Sequence, residues 1–211
     1  MRTLDLDQAA QLIEDARGHR LFIPILLALT CGLRRGEIAA LRWANVDLDK
    51  ATLNVVESLE PIRGGIRLKR PKSGRGRVID LSDIVVTELG KHRQRQESEL
   101  EKVGARVTRE SFVWAREDGE RINPVRMTDW WISWSAKRKP RVRFHDLRHA
   151  HATHLLASGV HPKIAQERLG HATISTTLDL YSHVLPGMGA EAAKKVGDAL
   201  GAAMKDVDGV G

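Results

Sequence analysis

Little of this sequence is aromatic, and two residue types occur once: Cys31 and Tyr181 are the only cysteine and the only tyrosine among 211 residues. A lone cysteine cannot close an intramolecular disulfide, which fits a chain kept in the reducing cytoplasm. Cys31 lies in an apolar run and reads as a buried core thiol. Long hydrophobic stretches are also missing. The longest runs from Leu21 to Cys31, broken by Pro24 and Thr30, and is too short to cross a bilayer. No signal-peptide pattern, internal repeat or low-complexity tract is visible. Nor does any set of carboxylates converge as a cage for catalytic metal ions requires.

What is abundant is positive charge, in two places. The formal charge is +7 and the pI about 9.8. Residues 61–79 hold Arg63, Arg67, Lys69, Arg70, Lys72, Arg75 and Arg77 with no acid; residues 133–145 hold Lys137, Arg138, Lys139, Arg141 and Arg143 with no acid. Against the total of +7, these twelve charges leave the remainder at −5. A merely soluble surface mixes the signs, whereas two isolated basic blocks suggest a polyanion footprint. The length suits one large domain or two small ones, with a real core.

Local patterns predict a mostly helical chain. Asp5 and Gln8 form an N-cap and its box partner, and apolar residues then recur at helical spacing until Gly18. A second helix spans about Arg20 to Cys31, with Gly32 as the left-handed residue that ends it, and a third spans roughly Gly36 to Trp43. Thr52 to Leu59, Gly65 to Lys69 and Arg77 to Leu81 read as strands of a small antiparallel sheet with a basic hairpin, and Ser73-Gly74 as a turn. Ser82 or Asp83 caps a long helix to about Val103, whose charged run is a solvated face. Ser111 to Ala115 is a short candidate strand. Asn123-Pro124 opens a helix with Trp130, Trp131 and Trp134, which read as core and rim packing rather than base-stacking platforms. Helices from His145 to Ser158-Gly159 and from Pro162 to Gly170 follow, then one capped by Ser175 or Thr176 that carries Tyr181. Residues 190 to 204 form an alanine-rich, weakly amphipathic helix before a frayed end.

The chemistry gathers between His145 and Tyr181. His145 and Arg148 lie one helical turn apart and share a face. Leu169-Gly170-His171 adds a second imidazole, and Tyr181 a phenol. That set suits an anionic electrophile such as a phosphodiester. Tyrosine can be a covalent nucleophile, and an arginine fork matches phosphate oxygens. Arg34, in Gly32-Leu33-Arg34-Arg35-Gly36-Glu37, reads on its own as an ion pair with Glu37 at i+3. His145, His149, His151 and His154 invite a metal reading, but no second cluster with ligand spacing accompanies them, so no metal site is assigned.

H-D-L-R-H-A-H-A-T from His145 and L-G-H-A-T-I-S-T-T-L-D-L-Y ending at Tyr181 resemble the C-terminal signature of the tyrosine recombinases, the phage-integrase family. The stretch Gly32 to Glu37 resembles that family's first arginine box, about a hundred residues upstream, and the match covers essentially residues 20–185. The resemblance implies the α+β fold of the tyrosine-recombinase (DNA breaking-rejoining enzyme) catalytic domain over 1–185, with 186–211 as a tail. It implies site-specific strand exchange without metal, ATP or other cofactor. Tyr181 would attack the scissile phosphorus, Arg34 and Arg148 would grip the non-bridging oxygens, and His171 would donate a further hydrogen bond. Lys72, with Lys69 as the rival, would protonate the leaving 5′-oxygen, and His145 would accept the phenolic proton or orient the site. Both basic blocks would coat phosphates. The implied partners are double-stranded attachment sites and further protomers in a homotetramer, with the tail as a contact between them. An N-terminal DNA-binding domain, usual in such integrases, is expected to be missing from this chain. The His171-to-Tyr181 interval is ten, where some branches have nine. Rival readings are a type IB topoisomerase and a non-catalytic DNA-binding module.

Overall fold

The computed structural model describes residues 3–70, 76–175, 177–178, 193–194, 196–200 and 204. Lys72, Arg75, the Ser73-Gly74 turn and Tyr181 lie outside them, as do most of the tail and part of the last helix expected before it.

The centre of the molecule is α2 (Phe22–Thr30), in which every residue from Phe22 to Leu29 is buried. A helix that is apolar all round has no face to give to solvent and must be enclosed. α2 is enclosed by α1 (Leu6–Asp15), α3 (Arg35–Ala40), α4 (Asp83–Glu101) and α6 (Phe144–Ala157). The Asp5–Gln8 capping box opens α1 as expected. α4 buries Val85, Leu89 and Leu100 and turns its charged face outward. α5 (Pro124–Ser135) starts at an Asn123 cap, whose Oδ1 accepts from Val125 N at 2.9 Å. Trp131 is buried and Trp130 and Trp134 pack against the core, so the tryptophans serve packing. α7 (Pro162–Leu169) ends at Gly170 in the left-handed region.

Three expectations need correction. The single strand expected over 52–59 is two strands in different sheets. β2 (Thr52–Val55) lies between β1 (Val46–Asp47) and β5 (Arg77–Asp80), whereas β3 (Ser58–Ile62) forms a hairpin with β4 (Gly65–Lys69). Leu53, Val55 and Leu59 are all buried, so inward positions keep the same parity across the break at Val56-Glu57 and a period-2 pattern cannot reveal it. The third helix stops at Ala40, not Trp43. Leu41 turns extended, its carbonyl accepts from Val113 N at 2.8 Å, and Trp43 N donates to Ser111 O at 3.0 Å. Residues 111–115, expected as a strand, make only isolated bridges, Arg42 with Phe112 and Ala115 with Arg121. The buried Trp43 indole donates to Gln96 Oε1 at 2.7 Å, and Gln96 Nε2 donates to Phe112 O at 2.9 Å, so the polar atoms beneath this crossing are satisfied.

Gly32 reverses the chain between α2 and α3 with φ +65°. A Cβ there would stand 2.6 Å from His151 Cδ2 and 2.8 Å from Leu169 Cδ2. We therefore expect Gly32→Ala to combine a left-handed backbone penalty with an overlap against two buried side chains, lowering stability by roughly 2–5 kcal/mol. Urea unfolding measures this. A loss below about 0.5 kcal/mol, the range of an ordinary surface change, would show that the turn is not under this constraint.

Candidate active site

The last turn of α7 leaves backbone carbonyls without helical partners, as every helix C-terminus does. Three successive ones each take an arginine from a different element. Arg77 Nε, from β5, donates to Arg168 O at 2.9 Å; Arg148 Nη2, from α6, donates to Leu169 O at 2.6 Å; Arg34 Nη2, from the α2–α3 connection, donates to Gly170 O at 2.9 Å. Arg148 Nη1 also donates to Gly32 O. The partial negative charge of a helix C-terminus favours cations there.

Glu37 holds the same arginines from the other side. Its Oε1 accepts from Arg34 Nη1 at 2.8 Å and Arg77 Nη1 at 2.9 Å, and its Oε2 from Arg34 N at 2.8 Å and Arg77 Nη2 at 2.7 Å. Burial alone would raise this carboxyl, but the hydrogen bonds and charge of Arg77 and the charge of Arg34 outweigh it and hold it at about 2. The ion pair read from the i+3 spacing thus exists, within the arginine cluster. Arg148 is 3% exposed. Burial, with Arg34 and Arg77 beside it and only Glu37 opposing, pushes it down to about 9, still a cation at neutral pH. Three guanidiniums facing one carboxylate leave two positive charges.

His171 follows directly on Gly170, whose carbonyl Arg34 grips. Its Nδ1 lies 3.0 Å from Thr177 Oγ1, and burial, then Arg148 and Arg34, lower it to about 4. It is therefore a neutral imidazole near pH 7. If the Thr177 hydroxyl donates to Nδ1, Nε2–H is left to donate to an anion. His145 stands on the exposed side of α6, its ring 4.7 Å from that of His149; desolvation, then His149 and Arg148, lower its pKa. An unprotonated imidazole is the state a proton acceptor needs. An open groove of about 1080 Å³ adjoins Arg34 and His145 and is lined also by Pro61, Trp131, Ile132 and Phe144.

The structure thus brings together Arg34, His145, Arg148 and His171. Glu37 and Thr177 escaped the sequence reading as working parts, although Glu37 was visible inside the first arginine box. The basic blocks divide. Arg67 and Lys69 pair with Glu60 at 3.0 and 2.6 Å across the β3–β4 hairpin, and Arg70 with Glu57 at 3.3 Å. Arg138 stacks on Trp134 and Arg143 pairs with Asp146, while Arg63, Lys137, Lys139 and Arg141 lie exposed on the same two blocks. Arg77, expected among the phosphate-coating residues, is instead turned inward onto Glu37, because a buried carboxylate needs a counter-charge. Among the described residues no group of three or more His, Cys, Asp or Glu could hold a metal ion, and no helix is long and apolar enough to cross a membrane.

A mostly helical domain with small antiparallel sheets is the fold of tyrosine-recombinase catalytic domains. The structure superposes on the Tn1549 transposon integrase, solved in complex with transposon right end DNA, with TM-score 0.74, 19% identity and coverage of 93% of this chain and 66% of that one. XerA recombinase gives 0.69 at 23% identity, covering 92% and 65%. The chain belongs to the phage integrase family, whose model matches residues 2–187. It is 29% identical over 212 residues to a XerC-like tyrosine recombinase of Caldanaerobacter subterraneus, covering 94% of this chain and 54% of that protein. It is 31% identical over 163 residues to tyrosine recombinase XerA of Pyrococcus furiosus, covering 76% and 49%. The chain spans about half the length of the curated relatives it matches.

Acid should loosen this frame from below. Beneath Gly32, the buried His151 ring places Nδ1 3.0 Å from Leu29 O and accepts at Nε2 from Arg168 Nε at 3.4 Å; burial, then Arg168, lower it from 6.5 to about 4. The folded state binds the proton less readily than the unfolded one. The stability this neutral ring supports is therefore fully present above about pH 6.5 and is lost as pH falls to about 4, up to roughly 3 kcal/mol. His171 acts with the same sign. Urea midpoints at pH 7.0, 5.5 and 4.5 should fall in that order; a midpoint unchanged down to pH 4.5 contradicts the assignment.

Proposed function

We propose that this domain cleaves and rejoins DNA at specific sites through a 3′-phosphotyrosyl intermediate, as a site-specific recombinase. The observation that carries the reading is the frame itself: two net positive charges fixed by the α7 carbonyls, with a neutral imidazole beside them, in a chain of the phage integrase family. A diester carries one negative charge and its in-line transition state approaches two on the non-bridging oxygens, so such a frame favours the transition state.

In this mechanism the Tyr181 oxygen attacks phosphorus while its proton passes to His145. The bond from phosphorus to the 5′-oxygen breaks, and Lys72 gives that oxygen its proton. Arg34, Arg148 and His171 bind the non-bridging oxygens. An unperturbed phenol, with a pKa near 10, needs such a base. Reversal by an incoming 5′-hydroxyl rejoins the strand, and the phosphotyrosyl bond conserves the linkage without ATP. The arginines supply the charge that metal ions supply elsewhere, so cleavage is expected to survive excess chelator. Lys69 is tied to Glu60 on the hairpin, which supports Lys72 as the acid. The substrates are double-stranded attachment sites in the cytoplasm, bound by four protomers with the 190–204 segment as a contact between neighbours; its described residues are helical and exposed.

A nicked attachment site at low salt tests the reading, because the short leaving strand diffuses away and traps the intermediate. The unmodified chain should give a covalent adduct on a denaturing gel. Tyr181→Phe should bind DNA and give none, since the chain has no other phenol. An adduct from the Phe variant would sink the assignment; relaxation of supercoils without any site requirement would favour a topoisomerase instead. Binding without any adduct from the unmodified chain leaves only a DNA-binding module.

The acid is tested separately. Lys72→Ala should slow cleavage about 10²–10⁴-fold with little loss of binding, and a bridging 5′-sulfur, which leaves without a proton, should restore the rate. If Lys69→Ala shows that selective rescue, the roles are exchanged.

A further inference from the structure

Arg77 sits on β5, only five residues beyond Lys72, and it differs from the other arginines of the frame in how its donors are used. Toward described residues Arg34 and Arg148 donate through Nη1 and Nη2 alone. Arg77 has all three nitrogens committed: Nε to Arg168 O, Nη1 to Glu37 Oε1 and Nη2 to Glu37 Oε2. Its fork closes bidentately on a carboxylate that is 6% exposed, and its own side chain is 16% exposed. The turn leading to His171 is shaped around it. A Cβ on Gly170, which holds φ +64°, would stand 2.9 Å from Arg77 Nη1 and 3.0 Å from its Cδ. Arg77 therefore touches the parts that fix Arg34, through Glu37, and His171, through the Arg168 carbonyl and Gly170.

We propose that Arg77 is a positioning residue: without touching the substrate, it bolts the strand that follows Lys72 to Glu37 and to the end of α7, so that Arg34 and His171 converge on one phosphate. This rests on the function proposed above. A bidentate fork fixes both distance and plane, which a lysine point charge cannot do. Lysine at 77 would keep the counter-charge of Glu37 but release the Arg168 carbonyl or one carboxylate oxygen.

The test compares Arg77→Lys, Arg77→Ala, Arg34→Ala and the Arg34→Ala/Arg77→Ala double variant of the full chain on the nicked attachment site. At saturating DNA, Arg77→Lys should slow adduct formation by about 10²-fold, the scale of a 1 Å misplacement. The DNA affinity of Arg77→Ala should keep the salt dependence of the unmodified chain, because no phosphate contact is lost. In the Arg34→Ala background, Arg77→Ala should cost clearly less than it does in the unmodified chain, because the part of its effect that runs through Arg34 is already lost and only the part through His171 remains. A salt slope reduced by about one with an unchanged rate at saturating DNA would make Arg77 a phosphate contact and overturn the proposal. So would multiplicative effects in the double variant, or failure of both Arg77 variants to fold. One readout is independent of activity. The Arg34 Nε–H resonance should be ordered in the unmodified chain and lose that order in Arg77→Lys, and an unchanged resonance overturns positioning. If the unmodified chain forms no adduct while this resonance changes as expected, the recombinase reading has failed and the positioning role stands.

Discussion

Three consecutive carbonyls at the end of α7 hold three guanidiniums, and the rest of the site depends on that arrangement. Like charges so close repel strongly in a medium of low dielectric. The repulsion is offset by the carbonyl dipoles on one side and by a single buried carboxylate on the other. Neither alone suffices: a carboxylate for every arginine would neutralise the frame, and carbonyls alone would leave three desolvated cations. One acid among three bases keeps the arginines in place and leaves the cluster with two positive charges in excess.

That balance imposes requirements far from the site. The arginines come from β5, the α2–α3 connection and α6, and they meet only if α7 ends where it does. Gly170 ends it in a conformation open to glycine at little cost. Arg168, whose carbonyl Arg77 grips, sends its own side chain to Thr30 O and Asp80 O at 3.3 and 3.0 Å, tying α7 to α2 and β5. The apolar α2 beneath is the surface on which these elements are registered. Its full burial makes its C-terminal turn at Gly32 a fixed point, and Gly32 O is in turn a second anchor for Arg148. Core packing and site geometry are thus one constraint seen from two sides.

How much of this was legible depends on whether the signal was local. Helix starts at Asp5 and Asn123 and stops at Gly32, Gly159 and Gly170 were readable because caps and left-handed glycines act within a turn of the chain. The placement of His145 and Arg148 on one helix and of His171 just past a glycine cap was readable for the same local reason. The break at Val56-Glu57 was not, since strand parity continues through it; nor was the early end of α3, because residues 111–113, seventy positions away, pull Leu41 and Trp43 into pairing. Arg77 misled for a related reason. In sequence it is one of seven bases in an acid-free block, and only the fold brings a buried glutamate from forty residues upstream beneath it. Composition reports charge density, not which charge faces inward.

The same reasoning explains why the frame is built from backbone anchors rather than from more side chains. A group that must stabilise charge developing at phosphorus gains most when it does not have to move as the charge appears. Arg34 and Arg148 each hold a carbonyl through Nη2, and those carbonyls belong to the cap of a helix whose core-facing residues Ala165 and Leu169 are buried. Reorienting either arginine would mean breaking that contact, and shifting the carbonyls would mean displacing α7. Burial of Arg148 at 3% exposure adds the other half. A cation largely stripped of water and incompletely compensated by protein charge interacts more strongly with an arriving anion than an exposed one would. In the proposed reaction, the repulsion among the three arginines would be relieved as negative charge on the bound phosphate grows from one to two. A rigid, under-compensated frame would, in that reaction, discriminate between ground state and transition state, where a flexible or fully neutralised one would bind both alike.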